Sequence, residues 1–281
     1  MCSIFKYKNI VGRNFDYEQS YNEELRFINK NEFNNSFKII GMCTGLVKDY
    51  PLFYDAMNEH GLVCGALAFE GNAKYLKEDE NKYSLSSYDF ILWVLGNFSN
   101  VKDVKKLIDK GGVVITDEAY SEEMLPSDLH WLIADKDDSI IIEQTKFGLN
   151  YYNGEVMTNN PIYPLQINAC KDLNEDIGDI STFKWDFHTR GLQTWNLSGD
   201  YTSIGRFARL SWLKNRLEKL DDKFNTISDG FHLLSMVEQV YGATSVNNEY
   251  EYTIYSIVYD LVDKCVYLKF YDKLNYQNEK I

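Results

Sequence analysis

The order in which apolar patterns follow one another constrains the fold of this chain more than any other feature. Strand-like runs come first, then helical spacing, then strands, helices and strands again. Cys2 to Tyr7 reads as a strand, Lys8-Asn9 as a turn region and Ile10 to Asn14 as the returning strand. Residues 37–47 and 61–69 are apolar, Gly-bearing strand candidates, separated by a polar turn region that holds Pro51. Over 85–98, Phe90, Trp93, Val94 and Phe98 fall at helical spacing, with Ser86 or Ser87 as the expected N-cap. A second short helix is expected over 101–109, with Val101, Val104, Leu107 and Ile108 on one face.

A β region follows, with strands at 129–135, 139–145 and 149–153. Asp137-Asp138 and Asn153-Gly154 mark turns, the second a strong hairpin signal, after which the strand resumes as EVMTNNP. Residues 170–200, rich in Asp, Gly and Trp, read as an ordered loop or small insertion. Helices are expected over 206–220 and from Asp229 through 240, strands over 253–260 and 265–272, and a frayed tail at 276–281. Such an order, joined by hairpin turns, predicts an α+β fold of antiparallel sheets layered with helices, not a parallel βαβ sheet. The 281 residues suit one domain spanning 1–281, with no repeat or clear linker.

Charge and cysteine usage narrow the function. Lys and Arg number 29 against 42 Asp and Glu, a net −13. So acidic a chain lacks the basic face that nucleic acids or anionic membranes require. Cys2, Cys43, Cys64, Cys170 and Cys265 are odd in number, widely spaced and free of any CxxC, which argues against a disulfide framework or a zinc site. A reducing compartment, the cytoplasm, is expected. No basic region followed by an apolar stretch opens the chain, and no run of 18 apolar residues occurs. His60, His130, His188 and His232 lack metal-ligand spacing, and His130 and His232 lie in apolar segments where packing is the expected role. Apart from Cys2, the cysteines are expected to be small buried residues.

Cys2 is the residue with the most chemical scope. Initiator Met is normally trimmed before Cys, and the new first residue then carries a thiol beside a free α-amine. The two groups titrate near ~8.5 and ~7.7–8.0, so the amine can take the thiol proton and one residue supplies nucleophile and base. If residues 2–16 form a hairpin, Arg13 and Asp16 return beside Cys2. There a guanidinium favours the thiolate and a carboxylate orients the amine. From pattern alone, a surface salt bridge next to the turn is the favoured reading of that pair.

The chain resembles the choloylglycine hydrolase family of N-terminal-nucleophile (Ntn) hydrolases, which holds conjugated bile salt hydrolases and penicillin V acylases. The resemblance runs through Met1-Cys2, GRNFDYE (12–18), DYPLFYDAMNEHGLVCGALAF (49–69) and FILWVLGNFSNVKDVKK (90–106). It continues through LHWLIADKDDSIIIEQT (129–145), VMTNNP (156–161), GDYTSIGRFAR (199–209) and FHLLSMVEQVYGATS (231–245). It implies an αββα four-layer sandwich, two antiparallel sheets between helices. It also implies a cofactor-free, metal-free hydrolase of linear amides.

By position, Cys2 matches the nucleophile, Arg13 and Asp16 the pair that activates it, and Asn159 the side-chain oxyanion donor. Arg206 matches the Arg near the nucleophile. Arg209, one turn on, reads as a solvated helix charge. Ala68 stands where bile salt hydrolases carry Asn and penicillin V acylases commonly Tyr; its backbone N–H still serves the oxyanion, but a substrate-touching side chain is lost. The N-terminal hairpin is several residues shorter than in typical bile salt hydrolases, and Ser198 stands where they have Pro. Glycine or taurine conjugates of bile acids are the first expected substrates, ahead of penicillin V or N-acyl homoserine lactones. A non-catalytic binder of amphipathic ligands and a redox-sensing thiol protein are the readings from other classes. The family often forms tetramers through a loop matching part of 170–200, so a homo-oligomer, tetramer or dimer, is an expected partner state, although that loop diverges here.

Overall fold

The computed structural model describes residues 1–170, 194, 197–273 and 275–281. Its N-terminal hairpin forms as the pattern predicts. Strand β1 (Cys2–Tyr7) turns at Lys8, whose φ is +49°, and returns as β2 (Ile10–Tyr17) with Cys2 opposite Phe15. Strands β3 (Glu24–Ile28), β4 (Ile39–Cys43), β5 (Phe53–Asn58), β6 (Val63–Ala68) and β7 (Tyr83–Ser86) follow, then helices α1 (Phe90–Asn97) and α2 (Val101–Asp109). Next come β8 (Val113–Thr116), β9 (Leu129–Ala134), β10 (Ser139–Thr145), β11 (Gly148–Asn153) and β12 (Val156–Thr158). Helices α3 (Tyr163–Ala169), α4 (Ser203–Leu217) and α5 (Thr226–Ser235) precede β13 (Thr244–Val246), β14 (Glu249–Asp260), β15 (Cys265–Phe270) and β16 (Gln277–Lys280).

The long strands assemble into two antiparallel sheets. One has the order β12-β1-β2-β14-β15-β16, with β13 beside β14; the other runs β11-β10-β9-β6-β5-β4-β3. Alternation along the second sheet shows why its strands read as continuous apolar runs. Ile40, Met42, Val63, Leu67, Leu132 and Ile141 join the core shared with the first sheet. Their neighbours Ile39, Cys64, Ala66, Trp131, Ile133 and Ile142 join a second core under α1 and α2. Helices α4 and α5 pack on the outer face of the first sheet, against β1, β12, β2 and β14. The layering is therefore αββα. Gly65 allows the sheets to meet over β1, because a Cβ there would lie 2.5 Å from Ile4 Cδ1.

Several local expectations change. The region around Pro51 is not all turn: β5 follows it, its apolar pattern interrupted by Asp55. Ser86 ends β7, and α1 starts only at Phe90, its N-cap Asp89 without a side-chain cap bond; α1 is apolar nearly all round and buried on most sides. Asn153-Gly154 forms no hairpin. β11 pairs with β10, β12 pairs with β1, and the chain crosses there from one sheet to the other. Gly154 is needed for close approach, since a Cβ would lie 2.2 Å from the Tyr163 hydroxyl. The helix expected to reach residue 240 is capped by Asn225 and ends at Ser235. The tail pairs with β15 as β16. His232 is exposed and Cys265 only half-buried, whereas His130, Cys43, Cys64 and Cys170 are buried. The insertion expected over 170–200 lies almost wholly outside the described residues.

Candidate active site

Each expected site residue reaches the same place by a different route. β1 is an inner strand, held by β2 and β12, so residue 2, the first of that strand, lies between Phe15 on one side and Asn159 on the other. Cys2 is 5% exposed; its Sγ lies 3.9 Å from Arg13 Nη2 and 3.8 Å from the Asp16 carbonyl. β2 turns Arg13 toward the opposite sheet. There Nη2 donates to the Ala66 carbonyl at 2.7 Å, and Nη1 meets Asp55 and the Tyr255 hydroxyl. Asp55 is fully buried and also accepts from the hydroxyls of Tyr255 and Tyr259. Burial works against the Arg13 charge, but Tyr255, Asp55 and Cys2 outweigh it and push the guanidinium pKa up. The two tyrosine hydroxyls are raised well above their ordinary range, by burial and then, among other causes, by Asp55.

Asp16 points the other way, under the helices. Thr253 Oγ1 donates to Oδ1 at 2.6 Å and Gln239 Nε2 to Oδ2 at 3.0 Å. Burial raises its pKa, against the N-terminal amine, Arg206, Thr253 and Gln239. Met1 is present ahead of Cys2. Its ammonium donates to the Asp16 carbonyl at 2.8 Å and to Glu251 Oε1 at 2.6 Å.

Asn159 follows β12. Its Oδ1 accepts from Cys2 N at 2.7 Å and from Arg206 Nη2 at 2.9 Å, while Nδ2 donates to the Ala68 carbonyl at 2.9 Å. With two donors on its oxygen, the amide orientation is fixed and Nδ2 is directed to the Ala68 side. Arg206, fully buried on α4, also donates Nη1 to the Cys2 carbonyl and to Ser3 Oγ. Burial lowers its pKa, against Asp16, Cys2 and Glu251; a guanidinium stays charged regardless. Arg209 is not the solvated charge its spacing suggests. It is 5% exposed and donates to the carbonyls of Met236, Ser198 and Asp200, securing the segment before α4.

The thiol lies on the floor of a cavity of about 550 Å³. Phe15, Tyr17, Phe53, Tyr54, Tyr88 and Tyr120 make it aromatic, Ala68 leaves its floor open, and Glu70, Glu123 and Asp128 line it as well. A second cavity, of about 460 Å³, lies beside α3 and α4 around the buried Lys214, and does not include Cys2. Among the described residues no cluster of His, Cys, Asp or Glu could hold a metal, and no helix is long and apolar enough to cross a membrane. Sequence reasoning missed Asp55, Tyr255, Tyr259, Gln239, Thr253 and Glu251. Asp55 alone left a trace, a charge inside an otherwise apolar strand.

The sequence profile of linear amide C–N hydrolases, choloylglycine hydrolase family, matches residues 3–281. This chain belongs to that family. It is 38% identical to a bile salt hydrolase/transferase of Lactiplantibacillus plantarum, over 97% of this chain and 90% of that protein. Among solved structures, the C2A mutant of the conjugated bile acid hydrolase from Clostridium perfringens superposes with a TM-score of 0.91 at 31% identity. That match covers all of this chain and 92% of that one. Penicillin V acylase from Agrobacterium tumefaciens shares the fold, with a TM-score of 0.75 at 20% identity, covering all of this chain and 86% of that one. The family's activity on linear amides and the Ntn-type sandwich agree with the expectations raised by the sequence.

Proposed function

We propose that this chain hydrolyses conjugated bile acids, the amides of a steroid acid with glycine or taurine, using Cys2 freed of Met1. The observation that carries the reading is the position of Cys2 Sγ. It faces a guanidinium at 3.9 Å on the floor of an aromatic cavity large enough for a rigid apolar acyl group. The relatives named for bile salts support that substrate class.

The reaction needs only groups of this chain. The Cys2 α-amine takes the thiol proton, and the thiolate, facing Arg13, attacks the amide carbon. Asn159 Nδ2 and the Ala68 N–H receive the oxyanion, an interaction whose single loss costs about 10²–10³ in rate elsewhere. Arg206 holds the Asn159 amide so that nitrogen, not oxygen, faces the carbonyl. The ammonium returns its proton to the leaving amine as the C–N bond breaks, leaving an acyl thioester. Water attacks the thioester carbon and gives a proton to the α-amine; as the C–S bond breaks that proton returns to sulfur, and the carboxylic acid departs. One hydrolase domain spans the chain in this reading. It acts in the cytoplasm, where five unpaired cysteines persist, and the family's habit makes it a homo-oligomer.

Ala68 favours one second reading, because the open floor also suits a phenoxyacetyl or fatty acyl group. Amine release by the Met1-trimmed protein and by Cys2→Ala decides between them, with glycocholate, taurocholate, penicillin V and an acyl homoserine lactone as substrates. Turnover of the cholates, abolished by Cys2→Ala, is expected. Turnover of penicillin V or the lactone alone replaces the substrate class, and turnover of none refutes the bile-acid reading.

A further inference from the structure

The Met1 ammonium reports what surrounds the amine end of the site. It sits between the Asp16 carbonyl and Glu251 Oε1. Glu251 is 3% exposed, and its other oxygen, Oε2, has no partner among the described residues. An unused acceptor on a buried carboxylate is rare in a native fold and calls for an explanation. Trimming Met1 removes the one partner that Oε1 has among the described residues and leaves the whole carboxylate facing the new first residue. Met1 N and Cys2 N are three bonds apart, so Glu251 lies within about 6 Å of the Cys2 amine by covalent geometry alone. A rotamer change or one bridging water would close that gap.

Strand geometry makes the placement specific. Thr253, two residues on, shares the face of β14 that carries Glu251 and donates to Asp16 Oδ1. The two carboxylates thus flank the amine from adjacent strands. We propose that Glu251 is a positioning residue for the general base: in the Met1-trimmed protein it is the second carboxylate of the Cys2 α-amine and stabilises its ammonium form. This rests on the reading of that amine as the base. Glu251 thereby sets the pH above which the amine is free to take the thiol proton.

The charges facing the amine agree. Asp16 and Arg13 come from β2, the Cys2 thiol from β1, Arg206 from α4 and Glu251 from β14, with Asp55 of β5 behind Arg13. Three carboxylates against two guanidiniums leave one negative charge for an ammonium to balance. Burial pushes the Asp16 carboxyl up, while Glu251 is the carboxylate whose side-chain oxygen bonds the amine directly. The Met1 amine in the same place has its pKa raised, burial being outweighed by Cys2, Asp16 and Glu251.

The test uses full-length Met1-trimmed protein and Glu251→Gln, with ¹⁵N-labelled cysteine. NMR titration of the Cys2 α-amine needs no substrate, and the acidic limb of kcat/KM against pH is its kinetic counterpart. A carboxylate within ~4–6 Å shifts such a group by one unit or more, so the amine midpoint is expected to fall by about one pH unit in the variant. The acidic limb should fall with it. A midpoint that stays in place or rises in folded Glu251→Gln overturns the proposal. Should that variant not fold, Glu251→Asp keeps the charge but withdraws it by one methylene; a smaller fall is expected, and no fall overturns the proposal. If the wild-type protein cleaves no amide, the hydrolase reading fails, while the amine titration still decides the role of Glu251.

Discussion

Asp55→Asn isolates the buried support behind the thiol. In the wild-type protein Arg13 and Asp55 are 1% and 0% exposed, and Asp55 is the carboxylate paired with that guanidinium. The amide can still accept hydrogen bonds from Tyr255 and Tyr259, but the negative charge is gone and Arg13 stays buried beside the Ala66 carbonyl, the Tyr255 hydroxyl and the Cys2 sulfur, without its carboxylate. Removing one partner of a buried ion pair costs about 3–5 kcal/mol, because the remaining charge stays desolvated. For a chain somewhat above 250 residues, 1 kcal/mol is worth roughly 2–4 °C, so Tm should fall by about 6–20 °C. Calorimetry of wild type, Asp55→Asn and the double variant Arg13→Met/Asp55→Leu measures it. The apolar pair should recover most of the lost stability, since buried ion pairs roughly break even against packed hydrophobes. Activity should stay low in the double variant, because the thiolate has lost its cation. A folded Asp55→Asn melting within about 2 °C of wild type would refute the claim that Asp55 balances Arg13.

Two further outcomes follow from charges around the site. Glu70, Glu123 and Asp128 line the cavity with no ion pair among the described residues, so they should repel an anionic conjugate. KM for taurocholate is expected to fall a few-fold between low salt and ~0.15 M, where the screening length is about 8 Å, and to be low already in Glu70→Gln/Glu123→Gln; a KM indifferent to both would remove these residues from recognition. His130 is fully buried, stacked on Phe69 at 4.3 Å, and burial lowers its pKa from 6.5 against the pull of Glu143. The unfolded chain therefore binds this proton first, and stability present above pH 6.5 is lost as pH falls through the lower folded value. Urea unfolding from pH 7 downward should show a stability loss that is smaller in His130→Gln; an equal loss in both assigns it to other groups.

What could be read from the sequence divides by distance along the chain. Cys2, Arg13 and Asp16 share one hairpin, so local strand geometry could place them near one another, although pattern alone favoured a surface salt bridge and the likeness to known hydrolases supplied their roles. Asn159, Arg206 and Ala68 come from remote elements whose meeting depends on the stacking of layers; only the likeness to known hydrolases pointed to them. Asp55 fell in the expected polar turn region and Glu251 just ahead of the strand expected at 253–260; what makes them unusual is the lack of solvent around them, which no linear pattern shows. The failed local readings have a common cause. Asn153-Gly154 has the chemistry of a tight turn, but its glycine serves the approach of Tyr163 where the chain changes sheets. Ser86, a good cap by type, belongs to β7 and bonds Asp89 instead. In each case tertiary packing overrode a local preference.

The inner position of β1 also bears on how the protein comes to be made. The first strand waits for Val156–Thr158 on one side, for β2 and through it Glu249–Asp260 on the other, and for Arg206 above it. A ribosome adding 5–20 residues per second needs about 10–50 s to deliver all of them. During that interval the N-terminus has no finished sheet to enter and remains open to the peptidase that the proposed mechanism requires to remove Met1. Synthesis order thus leaves time for Cys2 to be uncovered, as the proposed mechanism requires, before the fold closes over it.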